Sequence, residues 1–306
     1  MSKKVAIILI NWNSYDLTRD TLNSLQKVSY KDFDVILVDN GSTDGSGDRL
    51  EAEFSDVILL KSTSNTGFTG GNNMGFQYAM DQGYTYAMML NNDVEVESDF
   101  LEPLVYALDE NKRLGAVQSL IYFHHDKEVI WNAGSVRNSW TGETITLDYN
   151  VRDVGHEQRW IRKHVDWLTG CSFMVRTDIL KQIGVLKEEF FIYYEDVDLS
   201  FRIRKAGFEL GYEPSSVIYH IAGMSHKSKQ KGPEGFLNPK VHYLNARNRL
   251  WILKQYTRKG FIPTVIIYQV GYYIAVSLYF ILRGRFTKLG AWLRGIKDGL
   301  VENIYQ

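Results

Sequence analysis

The chain has 306 residues, of which 44% are hydrophobic and 23% are charged, and its formal net charge is −1. This length and composition exclude a disordered or collagen-like protein and allow one large domain or two ordinary ones. The single cysteine, Cys171, excludes an intrachain disulfide and suits a reducing compartment.

The charge is distributed unevenly along the chain. Residues 240–306 hold eleven lysines and arginines against two acids, a net charge of +9, which leaves −10 for residues 1–239. A basic C-terminal tail favours contact with an anionic partner, either nucleic acid or a phospholipid surface. Its bases surround a long apolar run and do not form a patch with exposed aromatics, so we expect no nucleic-acid partner.

The first hundred residues alternate between strand and helix patterns. Strands are predicted at 5–10, 34–42, 57–62 and 86–96, and helices at 16–27, 45–54 and 70–81. The first apolar run is too short for a secretory signal and predicts a buried strand. The alternation predicts a mostly parallel α/β sheet, in which ligands bind beyond the carboxyl ends of the strands. Polar residues follow three of these strands and predict one crevice: Asn11 and Asn13, Asp39, and Asn91 to Asp93.

The second half of the chain has a less regular pattern. Strands are predicted at 116–123, 165–176 and 208–219, the last ending at His220, with a helix at 177–183 and loops at 123–164 and 224–240. Glu195, Asp196 and Asp198 directly follow an aromatic run. Leu199, Ile203 and Ala206 have helical spacing toward a core, and Asp198 can pair with Arg202. Carboxylates against an apolar run either cap and solvate a helix start or serve chemistry.

Six sequence motifs occur in an order that points to a known family. They are INWNS (10–14), VDNGSTDGS (38–46), NTGFTGGNNMG (65–75), LNNDVEV (90–96), TGCSFMVR (169–176) and FFIYYEDVDLSFRIRKAGF (190–208). Over about residues 4–250 the chain resembles family 2 glycosyltransferases, in particular their bacterial rhamnosyltransferase-like branch. The resemblance implies a GT-A fold in residues 1–240. It has a Rossmann-like nucleotide-binding half (about 1–115), continuous with an acceptor-binding half (about 116–240), and is followed by a helical tail at 241–306.

The resemblance implies a nucleotide-diphosphate sugar as donor. Asp39 is expected to hydrogen-bond the base or ribose, with Asn11 and Asn13 beside it, although an Asx-turn into Gly41 also explains an aspartate here. The glycine-rich motif is expected to approach the diphosphate through its backbone and the following helix N-terminus. Its candidate residues are Gly67, Gly70, Gly71, Asn72 and Asn73, of which the two asparagines could instead be helix caps.

The LNNDVEV motif stands where the family often has Asp-X-Asp. Asn91 replaces the first acid and Asn92 follows, so Asp93 alone retains a carboxylate. The resemblance implies a divalent cation, Mn²⁺ or Mg²⁺, held by Asp93 and His220. Two alternatives stay open: Asn91 and Asn92 cap a turn, or His226 replaces His220 as ligand.

The acidic pair matches the family's catalytic motif. Resemblance to inverting members implies that Asp196 is the base that takes the proton of the acceptor hydroxyl, while Glu195 orients the acceptor. A non-catalytic sugar- or nucleotide-binding protein on the same fold is the alternative, supported by Asn91. A nucleotidyltransferase is disfavoured because no glycine-rich, basic phosphate loop follows the first strand.

The tail contains an uncharged run at 261–282 that is long enough to span a membrane. A following segment has Leu289, Trp292, Leu293 and Ile296 at helical spacing, as in an interfacial helix. We expect helices embedded in the cytoplasmic leaflet, with bases against anionic headgroups. The protein would then be cytoplasmic and peripheral or monotopic at the inner face of the cell membrane. A true span and an internal packing or homodimerisation element are the alternatives. This location suits a saccharide or lipid-linked saccharide acceptor in cell-surface polysaccharide assembly.

Overall fold

The computed structural model describes residues 4–221, 227–232 and 234–305. The strands are β1 Val5–Asn11, β2 Phe33–Asn40, β3 Ile58–Ser62, β4 Tyr86–Leu90, β5 Val94–Val96, β6 Leu114–Phe123, β7 Asp126–Asn132, β8 Ser135–Arg137, β9 Thr144–Thr146, β10 Ser172–Arg176, β11 Glu209–His220, β12 Lys227–Gly232 and β13 Gly235–Leu237. The α-helices are α1 Tyr15–Leu25, α2 Ser46–Glu53, α3 Gly67–Asp81, α4 Leu101–Glu110, α5 Thr177–Ile183, α6 Glu195–Lys205, α7 Pro239–Tyr256, α8 Ile262–Leu282 and α9 Phe286–Val301.

One large sheet organises the first two thirds of the chain. Its strand order is β3-β2-β1-β4-β10-β6-β11-β5, with β7 paired to β6. Strands β1 to β4 pair in parallel, as predicted, so their carboxyl ends meet at one edge. Beyond β4 the sheet is mixed, because β10 runs antiparallel to β4 and β6, and β5 runs antiparallel to β11. The parallel part therefore brings the predicted polar strand ends together.

Both faces of this sheet are covered. In β1, Val5, Ile7 and Leu9 belong to one buried cluster, while Ala6 and Ile8 belong to a second. Side chains alternate between the two faces of a strand, and each face of the sheet packs against helices. This double burial explains why the strand is apolar throughout and does not alternate with polar residues.

Some predicted elements have different bounds in the structure. Residues 86–96, predicted as one strand, form β4 in the middle of the sheet and β5 at its edge, with the polar residues 91–93 between them. Helix α3 begins at Gly67, three residues before its predicted start. The predicted loop at 123–164 includes β7, β8 and β9. The predicted loop at 224–240 includes the paired strands β12 and β13, while His226 lies outside the described residues.

The chain divides into two compact units. The first contains residues 4–136, 146–191 and 195–221, and the second, the tail unit, contains 137–145, 192–194 and the described residues from 227 onward. The tail unit is thus assembled from three separate pieces of chain. The domain boundary at 240 stays a prediction.

The tail unit has its own apolar core. Residues of α7, α8 and α9 form it, among them Leu253, Tyr273, Phe280 and Trp292. Helix α9 lies very close to α7 at Gly295 and Gly299, because a Cβ at either glycine would overlap a backbone carbonyl of α7.

This packing corrects the expectation for the last helix. Trp292 is buried in the core, and Leu289 and Ile296 pack against it. Of the four apolar residues predicted to face a membrane, only Leu293 is exposed, at 49%. The apolar face of α9 therefore stabilises the tail unit itself.

Helix α8 has two different faces. Val265, Gln269, Tyr273 and Phe280 are buried on one side, at spacings of four, four and seven residues. The other side exposes apolar side chains, with Ile267 exposed to 75%. Within the described residues, the helix at 259–282 is long and apolar enough to cross a membrane, judged by length and composition alone.

Candidate active site

A chain of hydrogen bonds joins the three polar strand ends. Asn11, fully buried at the end of β1, donates from Nδ2 to Asp39 Oδ1 at 3.3 Å and accepts from Thr18 at 3.1 Å. The Thr18 hydroxyl in turn accepts from Asn92 Nδ2 at 2.8 Å. The three polar strand ends are therefore joined as one connected set of side chains. The Asn11 amide also donates to the Ser46 hydroxyl at 2.7 Å, so its hydrogens are already used within the protein. Asn11 can therefore contribute to ligand binding mainly by orienting Asp39.

The loop after β1 is held against the loop after β2. Asn13 adopts a left-handed conformation (φ 51°), and its side chain accepts from the Thr43 N–H at 2.8 Å. Its own N–H donates to the Ser42 hydroxyl at 3.0 Å. Trp12, between the two asparagines, is 51% exposed. Trp12 is not among the predicted site residues, although an aromatic residue between polar ones at a strand end is a signal for a stacking surface.

The glycines of the NTGFTGGNNMG motif lie within α3 and contact protein atoms. Gly67 has φ +77°, and a Cβ there would overlap the carbonyl oxygen of Phe191. Gly71 faces Ile10, and Gly70 faces Thr66. These contacts account for the glycines through helix packing, and their role toward a diphosphate stays a prediction.

Asn72 and Asn73 of the motif are inside the helix and do not cap it. Asn73 donates to the Leu186 carbonyl at 2.9 Å and accepts from the Leu186 N–H at 3.0 Å, so it ties α3 to the loop before the acidic pair. Asn72 donates to the Phe68 carbonyl at 2.9 Å. Their predicted contact with the donor remains a prediction.

Asn91, Asp93 and His220 converge at the candidate metal site. His220 Nε2 lies 3.1 Å from Asp93 Oδ1 and 3.3 Å from the Asn91 amide nitrogen. Asp93 is 3% exposed, and its other oxygen, Oδ2, has no hydrogen-bond partner among the described residues. A buried oxygen without a partner fits a cation ligand, because leaving it unpaired is costly.

Few side chains at this site can bind a metal ion. No group of three His, Cys, Asp or Glu side chains able to hold a metal ion occurs within 4–221, 227–232 and 234–305. One carboxylate, one imidazole and one amide fit Mn²⁺ or Mg²⁺ if the donor's phosphate oxygens complete the coordination. We therefore expect cation and nucleotide to bind together.

Protonation of His220 opposes the binding of a cation at its imidazole. Burial alone would lower the pKa of His220, but the Asp93 carboxylate, 3.1 Å from the imidazole Nε2, raises this pKa above its ordinary value. A cation bound at the imidazole must displace its proton. Metal affinity should consequently increase with pH.

The acidic pair opens α6. Asp196 Oδ2 accepts from the Gly170 N–H at 2.9 Å, and Oδ1 accepts from its neighbour's N–H, that of Val197, at 2.8 Å. Burial nevertheless raises the pKa of Asp196 to about 6. Burial and the nearby Asp196 charge raise the pKa of Glu195 well above its ordinary value, and Glu195 Oε2 has no hydrogen-bond partner among the described residues. Of the two coupled carboxyls, Glu195 therefore has the stronger tendency to hold a proton.

The third acid of the helix has a structural role. Asp198 is fully buried and accepts from Arg202 Nε at 2.8 Å, which confirms the predicted pairing. The same guanidinium donates to the carbonyls of residues 183–185. Asp198 therefore fixes α6 to the preceding loop, apart from the Glu195–Asp196 pair.

The two-residue segment Gly170–Cys171 connects the acidic pair to the candidate metal site. The Gly170 N–H donates to Asp196, and the adjacent Cys171 carbonyl accepts from the Asn91 N–H at 3.1 Å. Together with the bonds from Asn92 through Thr18 to Asn11, this segment completes a continuous path from Asp39 to Asp196. The predicted base, metal and nucleotide residues thus border one site in the first unit.

Comparison with known proteins decides the family. The model for Glycosyl transferase family 2 matches residues 6–184, which is more than half of the chain. The chain belongs to glycosyltransferase family 2. It is thus a glycosyltransferase, and the resemblance read from the six motifs is confirmed.

Two characterised relatives of this family 2 glycosyltransferase are 26% identical to it. One is the N-acetylglucosaminyl-diphospho-decaprenol L-rhamnosyltransferase of Mycobacterium tuberculosis, over 79% of this chain and 82% of the relative. The other is the low-salt glycan biosynthesis hexosyltransferase Agl10 of Haloferax volcanii, over 69% of this chain. The matched region spans 65% of the Haloferax protein's own length.

Solved structures confirm the GT-A fold. The mannosyltransferase PcManGT of Pyrobaculum calidifontis, in complex with GDP-Man and Mn²⁺, superposes with a TM-score of 0.60 at 16% identity, over 98% of this chain and 88% of that one. GalNAc-T7 with UDP, GalNAc and Mn²⁺ superposes with a TM-score of 0.59 at 13% identity, over 82% of this chain and half of that one.

Proposed function

We propose that this glycosyltransferase transfers a sugar from a nucleotide-diphosphate sugar to a hydroxyl of a saccharide acceptor, with inversion at the anomeric carbon. The observation that carries the proposal is the Gly170–Cys171 segment, which bonds Asp196 on one side and Asn91 on the other. It brings a proton acceptor beside the residues suited to a diphosphate. A reaction that deprotonates a nucleophile and expels a diphosphate needs both.

Asp196 acts as the base. As the acceptor oxygen forms its bond to the anomeric carbon, the bond from that carbon to the diphosphate oxygen breaks. The acceptor proton passes to Asp196, and the bonding electrons leave with the nucleoside diphosphate. A base with a pKa of about 6 is ionised at neutral pH yet still takes up a proton, which suits this step. Burial and the Asp196 charge raise the pKa of Glu195 and so favour its protonated form, which can donate a hydrogen bond to an acceptor oxygen.

Residues of the parallel half of the sheet hold the donor. Asp39 accepts hydrogen bonds from the base or ribose, and Trp12 offers its exposed indole as an apolar surface beside it. Asp93 and His220 would hold Mn²⁺ or Mg²⁺, which offsets the charge of the leaving diphosphate. The Mn²⁺ in the PcManGT and GalNAc-T7 structures supports this assignment.

The acceptor is a saccharide, most simply a lipid-linked one used in cell-surface polysaccharide assembly. The name of the mycobacterial relative specifies a sugar linked through a diphosphate to decaprenol, and another relative, from Staphylococcus epidermidis, is a poly-β-1,6-N-acetyl-D-glucosamine synthase at 20% identity over half its length. An acceptor anchored in lipid requires an enzyme at the membrane surface.

The tail unit supplies a surface for that membrane. One face of α8 packs in the tail unit's core while the other exposes Ile266, Ile267, Ile274 and Leu278. Exposed bases flank the helix, at Arg258, Lys259 and Arg283. A helix buried on one side only and apolar on the other fits monotopic insertion into the cytoplasmic leaflet, with bases at anionic headgroups.

A transfer assay tests the proposal. The full chain is incubated with UDP-, dTDP- and GDP-sugars and a polyprenyl-diphosphate N-acetylglucosamine acceptor, with Mn²⁺ or with chelator. We expect glycosylated acceptor and stoichiometric nucleoside diphosphate with one donor class, and loss of both with Asp196→Asn. Transfer undiminished in Asp196→Asn would refute the assigned base, and a product with retained anomeric configuration would refute inversion.

A further inference from the structure

The residues directly before the acidic pair have an unusual backbone conformation. Phe191, Tyr193 and Tyr194 adopt φ values of 64°, 74° and 68°. Bulky residues with an L-configured Cβ rarely enter this region, and such conformations persist only where surrounding contacts impose them. Three of the four residues 191–194, directly before Glu195, have such a conformation. Contacts with other parts of the chain must therefore hold this segment in place.

The first of these residues is held by α3. The Thr69 N–H donates to the Phe191 carbonyl at 3.2 Å. The absence of a side chain at Gly67 leaves room for that carbonyl. Contacts of the first unit therefore fix the start of the segment.

The middle of the segment is held by one side chain of the tail unit. Asn248, fully buried on α7, donates from Nδ2 to the Ile192 carbonyl at 3.0 Å and to the Tyr193 carbonyl at 2.9 Å. Its Oδ1 accepts from Arg247 Nε at 3.0 Å. This third bond sets the orientation of the amide, since the guanidinium can only donate.

We propose that Asn248 is a positioning residue for the acidic pair: its amide holds the 191–194 segment, with its three positive-φ residues, in place and so sets where α6 begins. This role rests on the proposed function of Asp196 as the base. Asp196 is only three residues beyond Tyr193, and its second anchor is the Gly170 N–H. Without the amide the segment relaxes toward ordinary φ values and moves the carboxylate relative to the acceptor.

The test compares two asparagines of the same helix. Asn248→Asp keeps the side-chain volume but replaces the donating NH₂ by an acceptor facing two carbonyls, and Asn248→Ala removes the amide. Asn245→Ala is the matched control, because among the described residues the Asn245 amide donates to the Val241 carbonyl of its own helix, at 2.9 Å, and to no other group. Each full-length variant is assayed for kcat and for donor KM. Amide hydrogen exchange of residues 191–197 is followed by mass spectrometry.

We expect both Asn248 variants to lower kcat by roughly 10- to 100-fold, because displacement of a reacting group by about 1 Å costs on that order. Donor KM should stay within about twofold, since Asp39, Asp93 and His220 belong to the strand ends of the sheet and not to the segment. Exchange should accelerate in 191–197. Asn245→Ala should leave kcat, donor KM and hydrogen exchange unchanged. This split between kcat and KM separates positioning from a general loss of structure.

Three outcomes would overturn the inference. They are a kcat for Asn248→Asp within twofold of Asn245→Ala, an equal loss of kcat and of donor affinity, or unchanged exchange in 191–197. All three outcomes leave transfer by the wild-type chain intact and refute only the positioning role. Absence of transfer by the wild-type chain would instead refute the proposed function, and the positioning role with it.

Discussion

Replacing the proposed base should make the protein inactive and more stable. Burial raises the pKa of Asp196 from 3.8 to about 6, so ionising it costs folding free energy. At 1.36 kcal/mol per unit, the shift corresponds to about 3 kcal/mol at pH 8. Asparagine keeps one acceptor oxygen, so one of the bonds from Gly170 or Val197 is lost, at about 1 kcal/mol. Asp196→Asn should therefore gain about 2 kcal/mol, or about 4 °C in Tm.

The pH dependence of this gain tests its cause. Because the folded-state pKa is raised, the wild-type group contributes stability that is fully present below about pH 4 and is lost as pH rises through about 6. The advantage of Asp196→Asn should accordingly be absent near pH 4 and reach its plateau above pH 7, as measured by calorimetry across that range.

Asp198→Asn is the matched control on the same helix. It breaks the buried pair with Arg202 and should destabilise the protein by about 3 kcal/mol or more. An Asp196→Asn variant less stable than wild type at pH 8, or with a gain independent of pH, would contradict the assignment of a desolvated carboxylate.

Three further predictions concern the metal, the membrane and the glycine-rich helix. Asp93→Ala should reduce the nucleotide-induced rise in Tm to the level seen in chelator; an equal reduction with and without Mn²⁺ would remove Asp93 as a ligand. Ile267→Glu with Ile274→Glu should abolish flotation with anionic liposomes at unchanged Tm, and flotation that persists would exclude α8 as the contact. Gly67→Ala should lose roughly 2–4 kcal/mol by chemical denaturation, whereas Gly45→Ala, with a similar φ and nothing near its Cβ, should lose only about 1 kcal/mol; equal losses would show that the contact is relaxed.

The sequence predicted correctly those helices and strands that depend on the pattern of their own residues. The apolar run of β1 and the short helix α5 at 177–183 follow directly from burial and helical spacing. The splitting of 86–96 did not, because β5 is defined by its antiparallel pairing with β11, more than a hundred residues later. The strand pattern has the same period whichever partner a strand has, so the sequence alone cannot assign it.

The site could be predicted in part for the same reason. Asp93 and Asp196 stand in recognisable motifs at the ends of elements, although their roles stay predictions. Asn248 has no such signal, because an amide on a helix gives the same pattern whether it faces solvent or a distant backbone. Gly67 and its neighbours illustrate the converse case, since a glycine needed for a close approach does not reveal whether a ligand or a protein carbonyl approaches it.

The assembly of the tail unit from three pieces of chain limits how the enzyme can be divided. A cut near residue 240 would separate α7 to α9 from 137–145 and 192–194, which belong to the same unit. Arg137 would lose its bond to the Tyr256 carbonyl, and Gln269 its bond to the Thr141 carbonyl. The tail therefore cannot be exchanged between enzymes as a cassette at a single junction. Chimeras that alter membrane attachment would have to carry all three pieces, and hence the residues next to the acidic pair as well.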